Sequence, residues 1–428
     1  MDKFDVIIVG AGLSGLAAAY TLVREGAEVL VLERGDYAGA KNLTGGRLYL
    51  NPVRSLLPEL LEKAPLERGI VREDICLLGK TGSFTGSYDA RSGPAGPPQS
   101  ATVLRARFDR WLAKEVEQQG VPVVTKSAVE DLILENGRVK GIVVTGEEIG
   151  ADVVLACDGV LSLTAEKAGL RSPGHPEHYA VGIKEIIELD EGVIDDRFNV
   201  SPGEGAARLF LGEATQGRFG GGFLYTNRTS LSIGIVLGID VLGGAPGEPT
   251  APEIFDAFKN RPEIQSLIRG GQTVEYGAHV IPEGGMAGVG RLCGDGILVA
   301  GDAAGFALNT GLIVRGMDYA LASGYWAARA VLEAKGRNDF SAASLACYEA
   351  LLRDSFVLKD FETARHAPEA LRNPRFYGRY PDLAIGIFED LFAVPEGPKD
   401  KLFSTVRRHL PLREILAVLR DMKGMVKI

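Results

Sequence analysis

The sequence predicts an α/β chain. It combines a Rossmann-like dinucleotide-binding domain split along the sequence, an inserted β-rich substrate domain and a helical C-terminal region. Three observations lead there. A complete strand–turn–helix–strand unit opens the chain at FDVIIVGAGLSGLAAAYTLVREGAEVLVLERG. A second apolar strand ending in Gly-Asp comes near residue 300, in ILVAGDAAGFALNTGLIVRGMDYALASG. Between them, residues 176–285 are rich in β-branched and aromatic runs bounded by glycines, the pattern of a sheet.

Val6–Val9 is a continuous apolar run of the kind found in a strand buried on both faces. Gly10-Ala11-Gly12-Leu13-Ser14-Gly15 then gives GxGxxG, and helix continues through Arg24. Gly10 permits the tight turn, Gly12 lets backbone approach a pyrophosphate, and Gly15 lets helix pack close to strand. The free N–H groups at the helix start attract phosphate. Val29–Leu32 is the second strand and ends in Glu33, placed to accept ribose hydroxyls, which disfavours a 2′-phosphate. This unit calls for a dinucleotide and leaves NAD and FAD both open.

TVLRARFDRWLAKEVEQQG reads as a strand end followed by an amphipathic helix. Arg105 is placed to reach cofactor phosphates, and Arg107 and Arg110 read as helix-surface charges. VPVVTKSAVEDLILENGRVKGIVV reads as strands and a hairpin turning at Asn136-Gly137. The strand end at Ala128-Val129 is placed to flank an adenine through its backbone. Val153–Ala156 is a strand ending in Cys157-Asp158-Gly159, a turn expected near the pyrophosphate. In the inserted domain, APEIFDAFKNRPEIQSLIRG reads as one covering helix. Phe219, Phe223 and Tyr225 are either pocket-lining or strand core.

The late motif decides for FAD. An NAD site needs one nucleotide-binding unit, whereas FAD needs its ribityl chain and ring held elsewhere. Asp302, after Gly301, can accept from a ribityl hydroxyl. A helix opening at Gly311-Leu312 would aim N–H groups at the ring edge where charge collects on reduction. The predicted division is 1–75, 100–175 and 286–345 for the FAD domain, 76–99 and 176–285 for the substrate domain, and 346–428 for the helical region.

Bulk properties narrow the partners. The 428 residues carry a formal net charge of −9, which argues against a nucleic-acid partner. Cys76, Cys157, Cys293 and Cys347 form no CxxC pair and the five histidines no HExxH, so no metal site is expected in this chain. No apolar run reaches the ~18 residues of a spanning helix, and a strand begins too early for a signal peptide. The tail HLPLREILAVLRDMKGMVKI is basic and apolar, suited to a membrane surface, a partner subunit or this chain's own surface.

VLERGDYAGAKNLTGGRLY, VLRARFDRWLA, EYGAHVIPEGG and the 301–324 motif together resemble the FixC-type electron-transfer-flavoprotein:quinone oxidoreductases. These belong to the wider geranylgeranyl-reductase-like flavoprotein group, with its p-hydroxybenzoate-hydroxylase-like (GR2) FAD domain. The resemblance runs over nearly the whole chain. It implies an FAD enzyme that takes electrons from the α/β subunits of a reduced electron-transfer flavoprotein and passes them to a membrane quinone, peripherally at the inner face of the cell membrane. It carries over as FAD contacts Gly10, Gly12, Gly15, Glu33, Arg34, Asn42, Gly46, Arg105, Asp158, Asp302, Gly311 and Leu312, with Gly45-Gly46 passing the flavin ring. The quinone is expected along Gly220, Gly221, Gly222 and Phe223. The larger single-chain members carry a [4Fe–4S] cluster on a Cys-rich segment that this sequence lacks. The resemblance therefore implies a separate ferredoxin-like subunit, as also occurs in electron-bifurcating complexes. An isoprenoid reductase, an NADPH-dependent ring monooxygenase and a flavin-bearing subunit without turnover are the competing readings.

Overall fold

The computed structural model describes residues 3–42, 46–93, 96–172, 174–243 and 247–425. Among these, two large sheets organise the chain. The first runs Cys293–Gly294, Ile297–Val299, Glu147–Ala156, Lys3–Val9, Val29–Leu32, Val123–Val124. From Ile297–Val299 to Val123–Val124 its neighbours are parallel. The hairpin Val129–Glu135/Arg138–Val144 adds antiparallel to Glu147–Ala156. It turns at Asn136 and Gly137, both at positive φ, as the Asn-Gly pair predicts.

Parallel strands are buried on both faces, which is why Val6, Ile7 and Ile8 are fully buried. One face is covered by two helices, Leu13–Arg24 and Met317–Arg337. They cross closely because Gly324 has no side chain: a Cβ there would sit 2.0 Å from the Ser14 carbonyl oxygen. The two motifs, about 300 residues apart in sequence, are thus joined by helix packing.

The second sheet runs Gln272–Pro282, Tyr179–Glu188, Ser230–Gly238, Gly220–Thr226, Glu204–Gly212, Gly69–Leu78, Ser100–Val103, Gly46–Tyr49. Strand Ser83–Asp89 pairs on Gly69–Leu78. The sequence predicts a sheet for 176–285, but its reach is wider. Gly69–Leu78 belongs to it over its whole length, so a boundary at 75/76 falls inside a strand, and Gly46–Tyr49 and Ser100–Val103 extend the same sheet.

One face of this sheet packs under helices Glu191–Phe198, Ala251–Lys259 and Pro262–Ile268, burying Phe198, Phe210, Phe255 and Phe258. Residues 251–270 therefore hold two helices rather than one. Pro262 lacks an N–H and suits the first turn of a helix, so the chain breaks at Arg261 and restarts. The first of the two is closed by a capping box between Thr250 and Glu253. The C-terminal helices return to this sheet through Phe219 against Tyr377, ring centroids 5.7 Å apart, and Phe84 stacked on Phe388 at 4.1 Å.

Candidate functional site

The C-terminal ends of Lys3–Val9, Glu147–Ala156 and Ile297–Val299 face the second sheet across one cavity of about 740 Å³. That lies within the range of ligand-binding clefts, and ligands bind at this end of parallel α/β sheets. At one extremity are Glu33, Arg34, Ala128 and Val129. The middle holds Gly10, Gly12, Ser14, Arg105, Asp158 and Asp302. Gly46, Gly316 and Met317 also line it, and the second sheet supplies Lys184, Phe223, Tyr225 and His279.

Local chemistry explains these positions. Gly10 has φ +106°, and a Cβ there would meet the Cys157 carbonyl oxygen at 2.4 Å. Gly12 has ordinary extended backbone, φ −84°, and a Cβ there would meet nothing within 4 Å. Glycine at position 12 is therefore required neither by conformation nor by protein packing; it keeps the cavity open beside a helix start that no side chain caps. Gly15 and Gly301 do not line the cavity. A Cβ on Gly15 would strike the Gly10 carbonyl oxygen at 2.1 Å, and one on Gly301 would strike Ser14 Oγ at 2.5 Å. Both shape the turn from behind.

The carboxylates differ in their partners. Glu33 accepts from Ala11 N at 3.0 Å and Gly35 N at 2.6 Å, fixing its side chain at the strand end. Asp158 accepts from Thr164 N at 2.9 Å, and burial outweighs this to raise its pKa. Asp302 makes no hydrogen bond through its side chain to another described residue. Burial raises its pKa too, against the pull of Arg105 and Arg171. Arg105 is held by Asp109, Nε and Nη2 each at 2.8 Å, and Asn42 Nδ2 donates to the same carboxylate at 2.6 Å.

Asp109 is fully buried and escapes a reading of the sequence. Its signal is present nonetheless: an acid at i+4 from Arg105 on the apolar face of Arg105–Glu117. Arg110, which reads as a surface charge, lies over the Tyr37 ring at 3.5 Å. Sequence reasoning also misses Arg47, paired with Glu73, and Arg315, paired with Asp318 and Asp360. Both line the cavity.

Several expected positions fall elsewhere. The late helix begins at Met317, not Gly311. Gly311 and Leu312 occupy the turn of the hairpin Leu308–Asn309/Val314–Arg315, outside the cavity lining, and Leu312 is exposed. The helix N-terminus that does face the cavity is Gly316-Met317, also without a side-chain cap. Gly221 and Gly222 do not line the cavity either. Successive strand residues face opposite ways, and a Cβ on Gly222 would lie 2.9 Å from Phe258, under the covering helix. Phe223 lines the cavity, whereas Phe219 packs on Tyr377. Gly45 lies outside the described residues.

A family model described as an FAD binding domain matches residues 3–196, and one described as ETF-QO, ubiquinone-binding matches 179–281. The chain is 43% identical to Protein FixC of Salmonella typhi over 424 residues, covering 99% of this chain and 98% of that one. The chain belongs to the FixC family. Another relative of this FixC-family chain, the probable electron transfer flavoprotein-quinone oxidoreductase YdiS of Escherichia coli (strain K12), is 41% identical, with 98% and 97% covered.

Among solved structures, the fold resembles a geranylgeranyl bacteriochlorophyll reductase-like protein from Thermoplasma acidophilum. The TM-score is 0.73 at 22% identity, covering 98% of this chain and 99% of that one. At that identity the likeness concerns the fold alone.

This FixC-family chain is an FAD oxidoreductase. Its cavity fits the cofactor on its own evidence: two uncapped helix starts, the open approach at Gly12, and an Asp302 carboxyl without a hydrogen-bond donor among the described residues. No helix among the described residues is long and apolar enough to cross a membrane.

Proposed function

We propose that this chain accepts electrons from a reduced electron-transfer flavoprotein and passes them through FAD to a membrane quinone. The observation that carries this is the single cavity shared by the nucleotide-binding sheet and the face of the second sheet, within the stretch matched by the ubiquinone-binding model. Gly12 and the start of Leu13–Arg24 would hold the pyrophosphate with Arg105, and Glu33 with Val129 would hold the adenosine. Asp302 would accept from the ribityl chain, and Gly46 with the Gly316-Met317 helix start would meet the ring. When bound, FAD supplies two-electron redox chemistry. The side chains bind, orient and exclude water. The quinone would lie against Phe223 and Tyr225. On this reading the nucleotide domain comprises the first sheet with its helices, and the substrate domain the second.

Among the described residues no group of three or more His, Cys, Asp or Glu is arranged to hold a metal. Our reading assigns any [4Fe–4S] cluster to a separate ferredoxin-like subunit. Within a bifurcating complex NADH would be oxidised on the flavoprotein partner. Anaerobic titration of the isolated holoprotein with NADH or NADPH is therefore expected to leave its flavin oxidised; prompt bleaching would contradict the proposal.

The C-terminal helix Leu412–Met425 supports contact with the membrane. Its apolar stripe Leu412, Ile415, Leu416, Leu419 and Met422 points outward. Its polar side faces the protein, with Glu414 paired to Arg375 and Arg379 and Asp421 taken by Tyr380. Exposed Leu402 and Phe403 on the preceding helix add to the apolar surface, and Arg407, Arg413 and Lys423 add positive charge. Such a surface supports a peripheral position at the inner face of the cell membrane. Replacing Leu416 and Leu419 together by Asp is expected to weaken binding to phosphatidylglycerol vesicles by roughly 10²-fold. Co-sedimentation unchanged from the parent would show that this helix makes no such contact.

A further inference from the structure

The sheet wall of the cavity carries a lysine. Lys184 sits in the middle of Tyr179–Glu188, is 5% exposed and lines the cavity. Its cross-strand partners on both sides are glycines, Gly277 and Gly234. A Cβ at Gly234 would lie 2.6 Å from the Phe223 ring. That ring therefore occupies the space over the glycine, with Lys184 Nζ 5.7 Å from its centroid. His279, opposite Gly182, also lines the cavity, one step along the same pair of strands.

Arg105 faces Lys184 from the helix Arg105–Glu117, and Glu275 and His279 from the neighbouring strand. Gly234 and Phe223, from the strands on the other side, bring no charge. Burial first, then Arg105, lowers the Lys184 pKa to about 7, against the opposing pull of Glu275. The His279 pKa is lowered by burial, Arg105, Arg34 and Lys184.

We propose that Lys184 is the acid that protonates the quinone oxygen during reduction. The proposal rests on the quinone reading above. Turning a quinone into a quinol adds two electrons and two protons. Two electrons and one proton would be supplied by the bound FAD in its reduced state. The second proton leaves the Lys184 ammonium: its N–H bond breaks as the quinol O–H bond forms, and the neutral amine is reprotonated from solvent. An acid that titrates near the working pH serves both halves of that cycle, whereas an ordinary lysine, at about 10.4, gives up its proton too reluctantly.

The protonated form is the active one, so quinone reduction falls as pH rises through about 7. The test compares the parent holoprotein with Lys184→Met and Lys184→Arg at matched flavin content. First, pulsed acetylation across pH, read by mass spectrometry, should give a reactivity midpoint for the Lys184 amine near 7; a midpoint near that of surface lysines overturns the proposal. Second, the pre-reduced protein is mixed anaerobically with a short-chain quinone. Both variants should reoxidise about 10²-fold more slowly than the parent at acid pH, without its pH break. Near-parental rates for Lys184→Arg would mean that only the positive charge matters, and the proton-donor role falls. A parental rate and pH break in Lys184→Met also sinks it, while leaving the quinone reading intact. If the parent itself is not reoxidised by quinone, both fall together.

Discussion

Gly12→Val is expected to give a folded protein that purifies without its FAD. Backbone at position 12 is ordinary, and a Cβ there would meet no protein atom within 4 Å, so the fold is expected to lose little. The new methyl groups project where the pyrophosphate must approach the start of Leu13–Arg24. A weakening of at least about 10²-fold, or about 2.7 kcal/mol, is expected. Visible flavin absorbance per mole of protein and the thermal melt together read the outcome. Gly10→Val is the contrasting case. Its φ of +106° and the Cys157 carbonyl at 2.4 Å forbid a side chain, so that variant should fail to fold. A Gly12→Val protein that keeps a full complement of FAD would put the pyrophosphate elsewhere.

Arg68→Met is expected to cost about 3–5 kcal/mol, a large part of the roughly 5–15 kcal/mol that usually separates folded from unfolded chains. The Arg68 side chain is fully buried at the start of Gly69–Leu78. It donates to the carbonyls of Asn227 at 2.7 Å, Glu204 at 2.9 Å and Arg228 at 3.1 Å, and it pairs with Asp195. Methionine would fill the volume and leave three carbonyls and a carboxylate without that donor. Urea denaturation measures the loss, and a value below about 1 kcal/mol would mean that these groups find other partners.

Both residues bear on what the sequence reveals. The opening β-α-β unit is legible because its signals are local: an apolar strand, a glycine turn, a helix and an acid at a strand end. The Asn136-Gly137 hairpin is legible for the same reason. Arg68 is not, because its partners lie more than 120 residues away and no local pattern marks a buried guanidinium. The same holds for Gly69–Leu78, whose parallel partner is Glu204–Gly212.

The strand and Gly-Asp turn of the late motif are legible too, but the pattern sets the helix start too early. Leu312, Ile313 and Val314 look like the first apolar turn of a helix, yet they belong to a hairpin and are exposed. Lys184 and Glu185 together interrupt an apolar strand, and sequence alone does not tell which of the two faces the cavity. Only the pairing with Gly234 and Gly277 shows which face Lys184 takes.

The competing readings share the FAD site and differ in where electrons enter and leave. An isoprenoid reductase or a ring monooxygenase must reduce its flavin from another donor and deliver the electrons to an alkene or to oxygen. What favours a quinone acceptor over those roles is the ubiquinone-binding family match over residues 179–281, the stretch that supplies Lys184, Phe223, Tyr225 and His279 to the cavity. Quinone reduction also needs a surface that brings the cavity to a lipid-soluble acceptor, for which the outward stripe of Leu412–Met425 is the candidate.

The decisive experiment is anaerobic mixing of the purified holoprotein with reduced electron-transfer flavoprotein and a short-chain quinone, following flavin absorbance and quinol formation together. The donor should reduce the flavin, quinone should reoxidise it, and quinol should appear in equal amount to the electron pairs supplied. A flavin that stays oxidised in the presence of the reduced donor, or that is reduced yet never yields its electrons to quinone, would overturn the assignment.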